Sequence, residues 1–246
     1  NNINGQEGLD GIAPGAYVAS LKIGSNILSG GATTTASMKK AYEYGLELME
    51  KAGFRTVVYS MSYGICSETP GRSEVDKFLQ NFAHKHPEAV IVKSMGNSGP
   101  GINSTGNPSG ANGILTVGAM VSPGTLRDLY GSSREKVWIT HFSSRGGETA
   151  KPDVVAPGAA QSTVPAFSGG DAYLGTSMST PQIAGACAVL ISAAQKNNLK
   201  INSFMVRRAI KYSAEPLQGY NSIDYGRVLV DIPKAFEYLK FLAKRG

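Results

Sequence analysis

Five short apolar runs rich in β-branched residues, separated by helical patterns, constrain this chain more than any other feature. They are AYVASLKI (16–23), TVVYSMS (56–62), AVIVKSM (89–95), ILTVGAM (114–120) and DVVAPG (153–158). Each is apolar on both faces, the pattern of a strand buried in a parallel sheet rather than of one with a wet side. Between them, Met38, Ala41, Tyr42, Gly45, Leu48, Met49 and Ala52 share one helical face, as do Val75, Phe78, Leu79, Phe82 and Ala83, with Ser73 placed to cap the second helix. The alternation predicts an α/β fold, a three-layer, doubly wound, mostly parallel sheet with helices on both faces. A chain of 246 residues suits one such domain. Further on, PQIAGACAVLISAAQ (181–195) has no polar face and reads as a helix buried mid-domain, with Pro181 in its first turn, where a missing N–H is harmless. Amphipathic helices are expected near 203–213 and 232–244, the latter capped by Asp231.

Composition narrows the function. A formal charge of +6 permits nucleic-acid binding, but the basic residues are spread along the chain. Where they concentrate, as in SFMVRRAIKYSA (203–214), they alternate with apolar positions as on a solvated helix face, so no nucleic-acid partner is expected. Cys66 and Cys187 form no C-x-x-C pair and have no histidine at ligand spacing, so neither a disulfide framework nor a zinc site is indicated. Cys187 reads as a packed core thiol and Cys66 as partly exposed. No apolar run reaches the ~18 residues of a membrane span, and no signal peptide opens the chain. The opening stretch NNINGQEGLDG (1–11) reads as the middle of a loop, the expectation being a piece of a longer polypeptide.

Three glycine-containing turns follow predicted strands: SYG (62–64), GNSGP (96–100) and GTS (175–177). Strand C-termini of a parallel sheet share one edge, where ligands bind, so these turns are expected to meet there. Ser177 would stand at the N-terminus of the buried helix, where unpaired N–H groups and the helix dipole favour negative charge. Asn97 adds a neutral amide donor held between a glycine and a turn, able to reach the same oxygen. Singly, each is commonplace: a serine before a helix is usually a cap and Asn-Ser-Gly usually a turn.

Together and in this order, they resemble the subtilisin-like serine proteases, the subtilases. GTSMSTPQIAG is similar to that family's nucleophile motif, SMGNSGP to its oxyanion-asparagine motif, SMSYG to its substrate-binding strand, and GIAPGAYVASLKIG (11–24) to the stretch after its catalytic-histidine helix. Within the family, GAMVSPGTLRDLYGSSREKVWITHFSSRGG (118–147) and SFMVRRAIKYSA resemble the tripeptidyl-peptidase II branch. The resemblance implies a serine protease with Ser177 as nucleophile and Asn97 in the oxyanion hole. It also implies a polypeptide substrate laid beside Ser62, Tyr63 and Gly64, one wall of a specificity pocket whose opposite wall is Ser94, Met95 and Gly96 and whose floor is Gly106. A glycine floor between uncharged walls predicts cleavage after large apolar residues. The Asn107–Pro108 bond at this pocket is expected to be cis.

The family's catalytic Asp and His motifs are absent. By resemblance they precede residue 1, so residues 1–246 are expected to be the C-terminal portion of one peptidase domain, partnered by an upstream segment or a companion chain supplying both. His84, His86 and His141 are better read as surface or structural residues. The tripeptidyl-peptidase II branch holds its substrate's amino terminus with two acidic residues, and the matching positions here are Ala32 and Ile65, which favours endoproteolysis over removal of N-terminal tripeptides. An inactive, subtilase-like binding or regulatory module is the alternative from a different class. No cofactor is expected. Structural calcium is common in the family, and no acidic loop here marks a site for it. For compartment, the resemblance points to both secreted and cytosolic relatives, with secretion or the cell envelope favoured.

Overall fold

The computed structural model of the protein describes residues 11–25, 32–160, 172–217, 219–226 and 229–245. Most of the opening loop-like stretch lies outside them. In chain order, β1 (Gly24–Ser25) and β2 (Ala32–Thr33) are followed by α1 (Thr35–Lys51), β3 (Val57–Met61), α2 (Glu74–Lys85), β4 (Ala89–Ser94), β5 (Leu115–Val121) and α3 (Pro123–Tyr130). Then come β6 (Trp138–Ile139), β7 (Val154–Pro157), β8 (Ala159–Ala160), β9 (Tyr173–Leu174), α4 (Thr176–Lys196), α5 (Ser203–Ser213), α6 (Ser222–Tyr225) and α7 (Ile232–Ala243).

The parallel run expected from the sequence forms the middle of the molecule. β3, β4, β5 and β7 pair in parallel, with Val57 opposite Ala89, Val92 opposite Leu115 and Val117 opposite Val154, while β6 joins the end of β5 antiparallel. Every residue of β4 and β5 is buried. Period two explains why both faces are apolar: Ala89 and Ile91 pack with Tyr42, Tyr59, Leu79 and Phe82 under α1 and α2, whereas Val90 and Val92 pack with Ile183, Cys187, Leu190 and Leu239 under α4 and α7. Ser73 caps α2, its hydroxyl accepting from the Asp76 N–H (3.0 Å) while the Asp76 carboxylate accepts from the Ser73 N–H (3.2 Å), a reciprocal capping box. Asp231 likewise caps α7.

Two expectations change. Residues 16–23 form no strand and gain only the short β1–β2 ladder at their end, leaving Tyr17 86% and Val18 81% exposed. Alternating β-branched residues mark a strand only where a neighbour accepts the ladder hydrogen bonds, and among the described residues none lies alongside. Pro181 is not in the first turn of its helix. α4 begins at Thr176, so the ring sits inside the helix, where no N–H reaches back to the Ser177 carbonyl. As a continuous helix from residue 176 to residue 196, α4 is also long and apolar enough to cross a membrane by length and composition alone. Here it is the central packing element, with Ile183, Cys187 and Leu190 in the core.

Candidate active site

Ser177 and Asn97 converge, and Thr176 joins them. Asn97 follows β4, after Gly96, whose φ of +111° and whose Cα, where a Cβ would lie 2.9 Å from Ser144 Oγ, admit only glycine. The Thr176 N–H donates to Asn97 Oδ1 at 3.0 Å, and the Thr176 hydroxyl donates to the same oxygen at 2.9 Å while accepting from the Gly96 N–H at 3.3 Å. Two donors on one atom identify it as the amide oxygen and turn Nδ2 outward, beside Gly175. Neither Asn97 Nδ2 nor the Ser177 N–H has a hydrogen-bond partner among the described residues. Both donors lie beside the N-terminus of α4, where the helix dipole adds partial positive charge. Such an arrangement can accept an oxygen on which charge develops.

Ser62, at the end of β3, clasps the serine from the other side. Its hydroxyl donates to the Ser177 carbonyl at 3.0 Å, filling the acceptor that Pro181 leaves empty in the helix ladder. In return, the Ser177 hydroxyl points at the Ser62 carbonyl, 3.4 Å away. No imidazole reaches it. His84 is exposed on α2, His86 pairs with Glu88 at 3.0 Å, and His141 is exposed with its ring stacked on Trp138.

The residues expected to form the pocket are linked through their backbones rather than by their side chains. The Ile65 and Asn107 backbones exchange hydrogen bonds, and the Gly106 N–H donates to the Met95 carbonyl at 3.0 Å, which brings the two walls and the floor together. A Cβ on Gly106 would press within 3.2 Å of the Ile65 and Met95 carbonyl oxygens. Gly64 and Gly96 offer only backbone. Tyr63 turns into the α1–α2 cluster, and Met95 is buried. The Asn107–Pro108 bond is cis. Ala32 and Ile65 are exposed and provide no carboxylate. Cys66 is exposed, with Sγ 3.4 Å from Ser98 Oγ, and Cys187 is buried, its thiol pushed up to about 12 by desolvation.

Sequence reasoning missed two residues. Thr176 lies inside the nucleophile motif, and its role appears only when the Asn97 turn is seen against it. Lys93 is the second, fully buried on β4 with Nζ donating to the Ser94 carbonyl and hydroxyl, both at 3.1 Å. Burial draws its ammonium down to about 7, while Asp76 on α2 pulls the other way. A lysine inside an otherwise apolar run was the available signal. Among the described residues, no group of three or more His, Cys, Asp or Glu side chains gathers as for a metal ion.

A family model described as the subtilase family matches residues 1–227. Tripeptidyl-peptidase 2 of Drosophila melanogaster is 33% identical over 242 residues, covering 94% of this chain and 16% of that protein. Pyrolysin of Pyrococcus furiosus is 31% identical over 264 residues, covering 94% of the chain and 18% of the relative. The crystal structure of tripeptidyl peptidase 2 superposes with a TM-score of 0.75 at 27% identity, over 98% of this chain and 18% of that one. The chain therefore spans less than a fifth of the length of these relatives.

Proposed function

The chain belongs to the subtilase family, and we propose that it is the nucleophile-bearing, C-terminal portion of a serine endopeptidase domain. Ser177 Oγ attacks the scissile carbonyl, and the oxyanion that forms is held by Asn97 Nδ2 and the Ser177 N–H. Collapse of this intermediate expels the amine and leaves an acyl-enzyme on Ser177, which water then hydrolyses. The substrate runs as an added strand beside Ser62, Tyr63 and Gly64, and its P1 side chain, large and apolar, enters the pocket between Gly64 and Gly96 above Gly106. One observation supports this reading: Thr176, the neighbour of Ser177, fixes the Asn97 carboxamide by its oxygen and leaves Nδ2 without a hydrogen-bond partner among the described residues.

The base and its orienting carboxylate come from a segment or companion chain beyond these residues. Two features support this. The only histidines sit elsewhere, and β3 pairs on one side only among the described residues, with residues 16–23 unladdered nearby. An edge of that kind, next to Ser62, is where a further strand would bring catalytic groups to Ser177.

The names of the relatives favour a second reading, removal of tripeptides from a free amino terminus. That activity needs a counter-charge for the substrate ammonium, and Ala32 and Ile65 provide none. Peptides with free and acetylated amino termini separate the readings. An endopeptidase cleaves both, whereas a tripeptidyl aminopeptidase cleaves only the free one. The nucleophile is tested with a fluorophosphonate probe on the full protein. Labelling that is lost in Ser177→Ala is expected, and a correctly folded protein that never labels is instead an inactive binding module.

A further inference from the structure

Lys93 is a cation in a place where the proposed reaction uses none. Its side chain leaves β4 on the α2 side and ends beside Gly64. A Cβ built on Gly64 would lie 3.2 Å from Lys93 Nζ and 3.2 Å from the Asn107 carbonyl oxygen. Two of the three ammonium protons are used by Ser94, and the third has no partner among the described residues. No ion pair among the described residues discharges it. Asp76 is the charged group that acts on it, from α2, but the Asp76 Oδ2 is engaged by the Ser73 N–H and hydroxyl, and Oδ1 has no hydrogen-bond partner. The Ser73 hydroxyl also lies 2.7 Å from Asn107 Oδ1, tying this cluster to the pocket floor. The other groups that the described residues place at this point are neutral: Gly64 from the loop after β3, the Asn107 carbonyl, and Ser94 from β4 itself. The cation, rather than the carboxylate, thus abuts Gly64 and takes up the space a side chain there would fill.

We propose that Lys93 gives the P1 pocket a second specificity, for a glutamate side chain, whose carboxylate passes Gly64 and accepts from the unused Nζ proton. This rests on the pocket assignment above and extends it. When Lys93 is neutral the pocket is apolar and takes leucine-like side chains, and when it is charged a carboxylate completes its third hydrogen bond. Burial holds the ammonium near 7, so the charged form is present below about pH 7 and lost above it, whereas a substrate glutamate is ionised above about 4.3. Glutamate is therefore favoured between about pH 5 and pH 7. A bound carboxylate stabilises the ammonium and moves the upper limit upward.

The test compares peptides identical except for Glu, Gln or Leu at P1. Taking kcat/KM as the ratio of Glu to Gln cancels the titration of the catalytic base, which acts on both. With the full protein, the ratio is expected to exceed about tenfold at pH 6 and to fall towards one by pH 9. In Lys93→Met, close in shape and uncharged, it is expected to be flat and near one. A ratio independent of pH in the unaltered protein overturns the proposal, and so does a Lys93→Met protein that keeps the Glu preference. Equilibrium binding of the same peptides to Ser177→Ala protein needs no hydrolysis. A Glu preference there, lost with Lys93→Met, upholds the pocket even if no peptide is cut, whereas equal binding of Glu and Gln at pH 6 sinks it while Leu cleavage still upholds the peptidase.

Discussion

At the scale of single residues, the site depends on atoms that are unpaired for stated reasons. Asn97 can present its NH2 only because its oxygen is occupied twice by Thr176. Removing that donor in Asn97→Ala is expected to lower kcat by about 10² to 10³ with KM little changed, as measured by steady-state kinetics on a peptide ester. Pro181 and Ser62 make a second such pair, since the proline removes the helix donor for the Ser177 carbonyl and the serine replaces it. Ser62→Ala removes that partner and, because the bond is exposed, should cost about 0.5 to 1.5 kcal/mol in a denaturant titration. Restoring an N–H with Pro181→Ala in the same chain is expected to recover part of the loss, so a double-mutant cycle should report coupling between residues 62 and 181. The residues themselves were legible in the sequence, as turn serines and a helix proline. Their pairing was not, because a contact spanning 115 positions leaves no local periodicity to read.

At the scale of elements, buried charge ties strands to helices. Asp153, at the start of β7, accepts from Lys151 Nζ at 2.5 Å and from Lys211 Nζ on α5 at 2.7 Å, and it takes the Thr116 N–H of β5 at 2.8 Å. Burial alone would raise this carboxyl, but the two ammonium groups override it and hold the carboxyl below its ordinary value. A depressed folded-state pKa gives stability that is full above the unfolded value near 3.9 and is lost as pH falls through the folded one. Acid unfolding followed by circular dichroism should therefore show a stability decline below about pH 4 that Asp153→Asn abolishes. The same substitution is expected to cost about 3 to 5 kcal/mol at neutral pH, because it leaves buried Lys151 uncompensated. Patterning predicted the strand here, and the charged lining escaped it. The cluster is defined by Lys151 in the preceding loop, Lys211 on α5 and Thr116 on β5, none of which the run 153–158 contains.

For the whole molecule, most of the layer order was legible because β4 and β5 are sheathed on both faces, and sequence period reports burial directly. What escaped was the edge. A run such as AYVASLKI has strand composition whether or not a neighbour is present, so pattern alone could not reveal that, among the described residues, β3 pairs on one side only. In a parallel pair, alternate residues direct both backbone groups to the same neighbour. With the Val57 N–H bonded towards Glu88, residues 57, 59 and 61 face β4, and Val58 and Ser60 face outward. Hydrogen exchange should find the Val58 and Ser60 amides fast in this chain alone and slowed when the segment proposed to carry the base is present. Equal protection in both states would argue against a strand at that border. The helix that begins with Ser177 is also the one whose Ile183, Cys187 and Leu190 fill the interior. The proposed nucleophile and the central pillar are thus one rigid body, so heat should extinguish turnover and melt the tertiary structure at a single temperature, leaving no interval in which a folded but inactive species accumulates.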